Sequence, residues 1–400
     1  MSRKIPLGTA LAVLFVVMAA TIAITMKVSM SVYNNLISDL SSRSAMYDDV
    51  AEIDEVVRED YYGTIDSDSV NSALVGGYVD GLGDPASFYL TAEQYVVYNN
   101  KLLGKMSGTG LTCSFNAGSG RLYVTAVAKN SPAATAGIVV GDEITKVADI
   151  NVTDSNYEEL LSELEGEKLS SVNVTYVHNE TEATIYLVMG YSVAAVTYRT
   201  IGDVGFITIN GFYENAVVQF EEAIDALKSE GAKSLIIDLR NCSEGNVEYA
   251  TEVLDVLVPV ATEGTGAMAT AIDKEGKTVK TYPSDSDSVT LPMLVLVNGG
   301  TSGPAELFAC DLRDFGMAEL IGTQTKGICT LQEIKRLSNG GAVVLTIAEI
   351  KPYKSESFNG VGLTPDYVIS LTGEQTAQIG IMSDTDDPHI QKALELLSSD

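Results

Sequence analysis

The 400-residue chain carries 54 acidic against 25 basic residues, a formal net charge of −29. So negative a surface repels phosphate backbones and excludes nucleic acid as a partner, and the length predicts more than one domain. Four cysteines (Cys113, Cys242, Cys310, Cys329) without a CxxC pair, and two distant histidines (His178, His389), make neither a disulfide framework nor a zinc site, so no metal or cofactor is expected.

Arg3 and Lys4 precede an uncharged run from Ile5 to Met26. At about 1.5 Å per residue this run is long enough to cross a hydrocarbon core of roughly 30 Å. The positive flank predicts a cytoplasmic N-terminus and a single pass, with the bulk of the chain extracytoplasmic. Ala19-Ala20 and Ala23 make a poor cleavage site, so residues 1–30 are read as an uncleaved signal anchor in the cell membrane.

Residues 31–100 read as a helical segment. In Gly77–Leu90 (GYVDGLGDPASFYL), Gly83 suits a left-handed cap and Pro85 stops the helix. Residues 101–192 read as strands and short helices, with strands at Leu122–Val127, Val172–Val177 and Thr184–Val188. From 193 to 400 strands alternate with helices: Val204–Ile209, Val217–Lys228, Ser234–Leu239, Asn246–Leu257, Met293–Asn298, Pro304–Phe315 and Glu319–Gly322. That order predicts an α/β core around a largely parallel sheet. Val343–Ile350 adds an alternating strand and His389–Leu397 a final helix. The fold class is therefore α/β and multidomain.

Two groups of motifs carry a family resemblance. Gly108-Thr109-Gly110-Leu111, followed by Ser131-Pro132-Ala133, Gly137 and Gly141-Asp142, resembles a PDZ domain. That resemblance implies a loop whose backbone N–H groups meet a terminal carboxylate, with the peptide adding as a strand at the sheet edge. Asp238–Gly245 (DLRNCSEG), Asn298–Phe308 (NGGTSGPAELF) and Gly322–Gln332 (GTQTKGICTLQ) resemble the active-site segments of the carboxyl-terminal processing, or tail-specific, serine proteases. Gly362-Leu363-Thr364-Pro365-Asp366 resembles that family's closing motif. The likeness runs from about Ala51 to the C-terminus and implies a PDZ domain on a tail-specific protease core.

The resemblance also implies a Ser nucleophile three residues before a Glu, and a Lys base four residues before a Gln. Glu306 and Gln332 are present. The Ser position is Gly303 and the Lys position is Ile328, so both dyad positions are vacant. Displaced candidates are Ser302, one residue early, and Lys326, two residues early. In an extended chain a two-residue shift is about 6.5–7 Å, and a misplacement of about 1 Å can cost roughly a hundredfold in rate. A helix-flanking hydroxyl and a surface charge are the simpler readings of the two. Glu244 replaces a glycine of the family's Asn-Asn-Pro-Gly-Gly loop and sets a carboxylate where an oxyanion would form. Cys242 and Cys329 are weak substitute nucleophiles.

The expectation is a membrane-anchored homologue of these proteases, with impaired catalysis, that binds protein C-termini or unfolded polypeptide and regulates an active homologous protease. The alternatives are a serine endopeptidase using Ser302 and Lys326, and a structural envelope protein.

Overall fold

The computed structural model describes residues 7–166, 171–263, 266–285 and 288–398. The chain divides into two units, Met1–Leu74 and Val75–Asp400. In the first, Leu7–Asp60 is one helix, on which Arg58 pairs with Asp54 one turn earlier. Among the described residues no helix is long and apolar enough to cross a membrane. The start of the predicted anchor, residues 1–6, lies outside the described residues.

The second unit holds three larger sheets. The central one has six strands side by side in the order Val196–Ile201, Val204–Ile209, Ser234–Asp238, Met293–Val297, Ala318–Gly322 and Tyr367–Val368. The first pair is antiparallel and the rest are parallel. Ser234–Asp238 and Met293–Val297 are buried at every residue, as expected of parallel strands covered on both faces. Side chains alternate between the two faces. Leu235, Ile237, Met293, Val295 and Val297 join the larger core, under helices Ala216–Ser229, Val247–Asp255 and Pro304–Asp314. Ile236, Leu294 and Leu296 point the other way, against Ile390 and Ala393 of the Pro388–Leu397 helix.

That last helix is fixed by a buried polar network. The Arg240 guanidinium donates to both oxygens of Asp238 and to Asp387, and His389 Nε2 lies 2.8 Å from the Ile369 carbonyl. A carbonyl only accepts, so Nε2 carries the proton. His389 is 1 % exposed. Burial, and then the Arg240 charge, hold its imidazole below the ordinary value. As pH falls the unfolded chain therefore takes up this proton first, near pH 6.5, and stability is lost from there downwards. The urea midpoint should fall between about pH 7 and pH 5.5, and His389→Gln should flatten that slope; an unchanged slope would exclude a neutral, buried His389.

A second sheet of five strands centres on Ala342–Lys351, which pairs with Thr330–Arg336, Ala269–Ile272 and Phe88–Leu90. Phe88–Leu90 corrects the sequence reading of a helical segment running to about Asn100. After Gly83 and Pro85 the chain extends into this sheet, then re-enters a helix at Ala92–Leu102, capped by Thr91 and Gln94. The third sheet, residues 111–188, has the order Leu111–Asn116, Arg121–Val127, Glu143–Val147, Ser171–His178, Thr181–Val188. Its own core packs Leu122, Val124, Ile144 and Val174 against Leu160 and Leu164 of the Tyr157–Glu165 helix.

Candidate active-site cleft

The three segments singled out in the sequence follow three adjacent parallel strands: 239–245 after Ser234–Asp238, 298–303 after Met293–Val297, and 323–328 after Ala318–Gly322. In open α/β sheets the carboxyl ends of strands are where ligand clefts form. A cleft of about 640 Å³ lies here. It is lined by Glu244, Ser302, Gly303, Lys326, Ile328 and Gln332, and by Val97, Tyr98 and Lys101 from the Ala92–Leu102 helix.

Gly303 is the N-cap of the Pro304–Asp314 helix, with φ 59° and ψ −115°. Residues with a side chain adopt such positive φ only under strain. Pro304 takes the first helical position, and Glu306 reaches back to the Gly303 amide. A Cβ built on Gly303 would lie 4.0 Å from Ile328 Cγ2. The two positions assigned to the missing dyad thus face each other inside the cleft, and what meets there is a hydrogen and an alkyl group.

Glu306 sets that register. It is fully buried, and its Oε2 accepts from the Gly303 amide at 3.0 Å and the Ile328 amide at 2.8 Å. Its Oε1 accepts from the Gly327 amide at 2.7 Å and from the Thr325 hydroxyl. One carboxylate thereby clamps the helix start to the opposite loop. Thr325 is committed on its other side, accepting from the Leu363 amide at 2.7 Å, which ties in the Gly362–Asp366 motif. Gln332 sits in strand Thr330–Arg336 and donates to Thr330 and Thr346.

The displaced candidates are placed otherwise. Ser302 is half-buried and its amide donates to the Cys242 carbonyl at 2.9 Å. Lys326 is exposed, with its amide on the Thr301 carbonyl at 3.1 Å. Among the described residues no hydrogen bond joins the Ser302 hydroxyl to the Lys326 ammonium. The amide of Gly303, the position assigned to the nucleophile, and that of the preceding Ser302 are both already donated within the chain. An oxyanion formed beside them would find neither free.

Glu244 also differs from expectation in one respect. Its carboxylate lines the cleft but is held by the Lys101 ammonium and the Tyr213 hydroxyl. Burial raises its pKa, yet the hydrogen bonds from Lys101 and Tyr213 and the Lys101 charge outweigh that and lower it. Its negative charge is thus partly neutralised locally. Sequence reasoning missed Tyr98 and Lys101, since nothing local signals that the Ala92–Leu102 helix lies along this cleft, and Tyr213, which meets Glu244 only in the folded chain. Cys242 and Cys329 are both 1 % exposed free thiols. Burial pushes each up to about 12, which leaves no thiolate for attack at neutral pH.

The Gly108–Leu111 loop opens the third sheet at its edge strand, Leu111–Asn116. A Cβ on Gly110 would sit 2.1 Å from that of Ser131, so glycine is required there by packing. The Thr109 amide donates to the Leu164 carbonyl at 2.9 Å, whereas the Gly110 amide has no backbone acceptor among the described residues. The loop therefore presents fewer open N–H groups than the resemblance implied.

Comparison with known proteins agrees with this architecture. Residues 203–369 match peptidase family S41, and residues 123–177 match the PDZ domain. A probable CtpA-like serine protease of Staphylococcus aureus strain MSSA476 is 26 % identical over 372 residues, covering 91 % of this chain and 73 % of that protein. Its counterpart in Staphylococcus epidermidis is 26 % identical over 327 residues, covering 81 % and 66 %. The solved structure of a putative S41 protease from Bacteroides fragilis NCTC 9343 shares the fold, with a TM-score of 0.51 at 16 % identity, over 85 % of this chain and 91 % of that one. The chain thus carries a PDZ domain and a peptidase family S41 domain, and over most of its length it is similar to CtpA-like serine proteases.

Proposed function

We propose that this chain is a pseudoprotease of its family: a membrane-anchored, extracytoplasmic protein that holds polypeptide C-termini or unfolded segments without cleaving them. The observation that carries this reading is the 4.0 Å approach of a Gly303 Cβ to Ile328 Cγ2. It supports the register in which both dyad positions are substituted. The edge of Leu111–Asn116, unpaired among the described residues, would give an incoming strand its main-chain partners, and the cleft lies beside Gly303 and Ile328. The anchor and the extracytoplasmic location rest on Arg3, Lys4 and the apolar run that follows. Tails held in this way would be withheld from, or handed to, an active homologous protease.

Peptides ending in a free carboxylate should bind saturably, as read by fluorescence anisotropy. Amidation should weaken that binding, through loss of the contact at the Gly110 amide. Absence of saturable binding across a diverse peptide library would refute the proposal.

A further inference from the structure

Remote from the vacant dyad, the end of the Pro304–Asp314 helix gathers three ligand-type groups. Cys310 Sγ and one carboxylate oxygen each of Asp311 and Asp314 all lie within 4.8 Å of one another. Cys310 and Asp311 have no exposed surface. Asp311 Oδ1 accepts from the Tyr353 amide at 2.9 Å, but Oδ2 is buried without a partner among the described residues. A buried carboxylate oxygen left unpaired is costly. The adjacent cations do not answer it: the Arg313 guanidinium donates to the Thr364 carbonyl, and the Lys354 ammonium pairs with Glu263. The carboxylates are nonetheless oriented. Asp314 accepts from the amides of Lys354 and Ser355 and from the Ser355 hydroxyl, the kind of outer hydrogen bonding that orients metal-ligating carboxylates.

We propose that Cys310, Asp311 and Asp314 bind a divalent cation of borderline softness, with zinc the best match to one thiolate and two carboxylates. The helical spacing supplies the convergence, since residues three and four apart share a face. Zinc–sulfur and zinc–oxygen bonds of about 2.3 and 2.0–2.2 Å need only a small inward rotation of these side chains. All three ligands belong to the helix that begins at Gly303, and the loop around Tyr353–Ser355 supports the ion only through its hydrogen bonds to Asp311 and Asp314. The ion has no place in the cleft, and the inference is independent of the pseudoprotease reading. No CxxC or histidine pair announces such a site in the sequence.

The test uses the full chain, dialysed after zinc loading. About one zinc per chain should be retained, and cobalt in its place should give a thiolate-to-metal charge-transfer band. Cys310→Ser should remove both zinc and band. Asp314→Asn, at a less buried position, should retain its circular dichroism and lose zinc. Ser355→Ala should weaken binding by about 10–100-fold. No retained zinc together with no cobalt band would overturn the proposal, as would a band that persists in Cys310→Ser. If Cys310→Ser does not fold, the wild-type spectrum and Asp314→Asn decide.

Discussion

Glu306→Ala should destabilise the core by about 3 kcal/mol or more, because each buried donor left unmet costs roughly 1–3 kcal/mol. Four donors converge on this carboxylate: the amides of Gly303, Gly327 and Ile328, and the Thr325 hydroxyl. Nor is Glu306→Gln conservative. Its NH₂ must replace either Oε2, facing the Gly303 and Ile328 amides, or Oε1, facing the Gly327 amide and Thr325. In both orientations a donor meets a backbone donor, and Thr325 already accepts from the Leu363 amide. Both variants should lower the midpoint of urea unfolding with little change in its slope. A Glu306→Gln protein as stable as wild type would contradict the clamp. The clamp gives Glu306 a structural role that does not depend on a catalytic dyad.

On the proposed reading, placing Ser at position 303 and Lys at position 328 together should raise peptide hydrolysis above that of the parent chain. The 4.0 Å approach of the two positions brings a hydroxyl and an amine within reach of each other, and the half-buried setting of position 328 favours the neutral amine a base requires. The gain is limited by what else has changed. The amides of Ser302 and Gly303 are donated to Cys242 and Glu306, and a missing oxyanion donor typically costs about 10²–10³ in rate. Ser at φ 59° also carries strain of about 1–3 kcal/mol. Each single variant should remain inert, since a nucleophile without its base and a base without its nucleophile do not turn over. Turnover by Gly303→Ser alone would show that the base is not at position 328.

The site was legible where its logic is local. Asp238–Gly245, Asn298–Phe308 and Gly322–Gln332 stand out by their likeness to the family's motifs, each at the carboxyl end of a largely buried strand, and the Gly-Pro-x-Glu helix start can be read from capping chemistry alone. Buried strands such as Met293–Val297 declare themselves by composition. The second sheet does not: Thr330–Arg336 and Thr278–Tyr282 are largely half-exposed or exposed, and their mixed residues give no alternation to count. The hold of Lys101 on Glu244, and of Glu306 on the loop at Thr325–Ile328, joins residues distant in the chain. Such contacts exist only once the sheets are assembled, so no window of sequence contains them. The Gly108–Leu111 loop shows the converse: its glycines were read for a ligand, and packing against Ser131 also requires one of them.

The measurement that bears most directly on the central claim is turnover of an unstructured substrate such as casein by the wild-type chain, beside its Ser302→Ala variant. Both should be indistinguishable from buffer. Cleavage by the wild type that disappears in Ser302→Ala would mean that the neighbouring hydroxyl does the chemistry and that the dyad was moved, not lost.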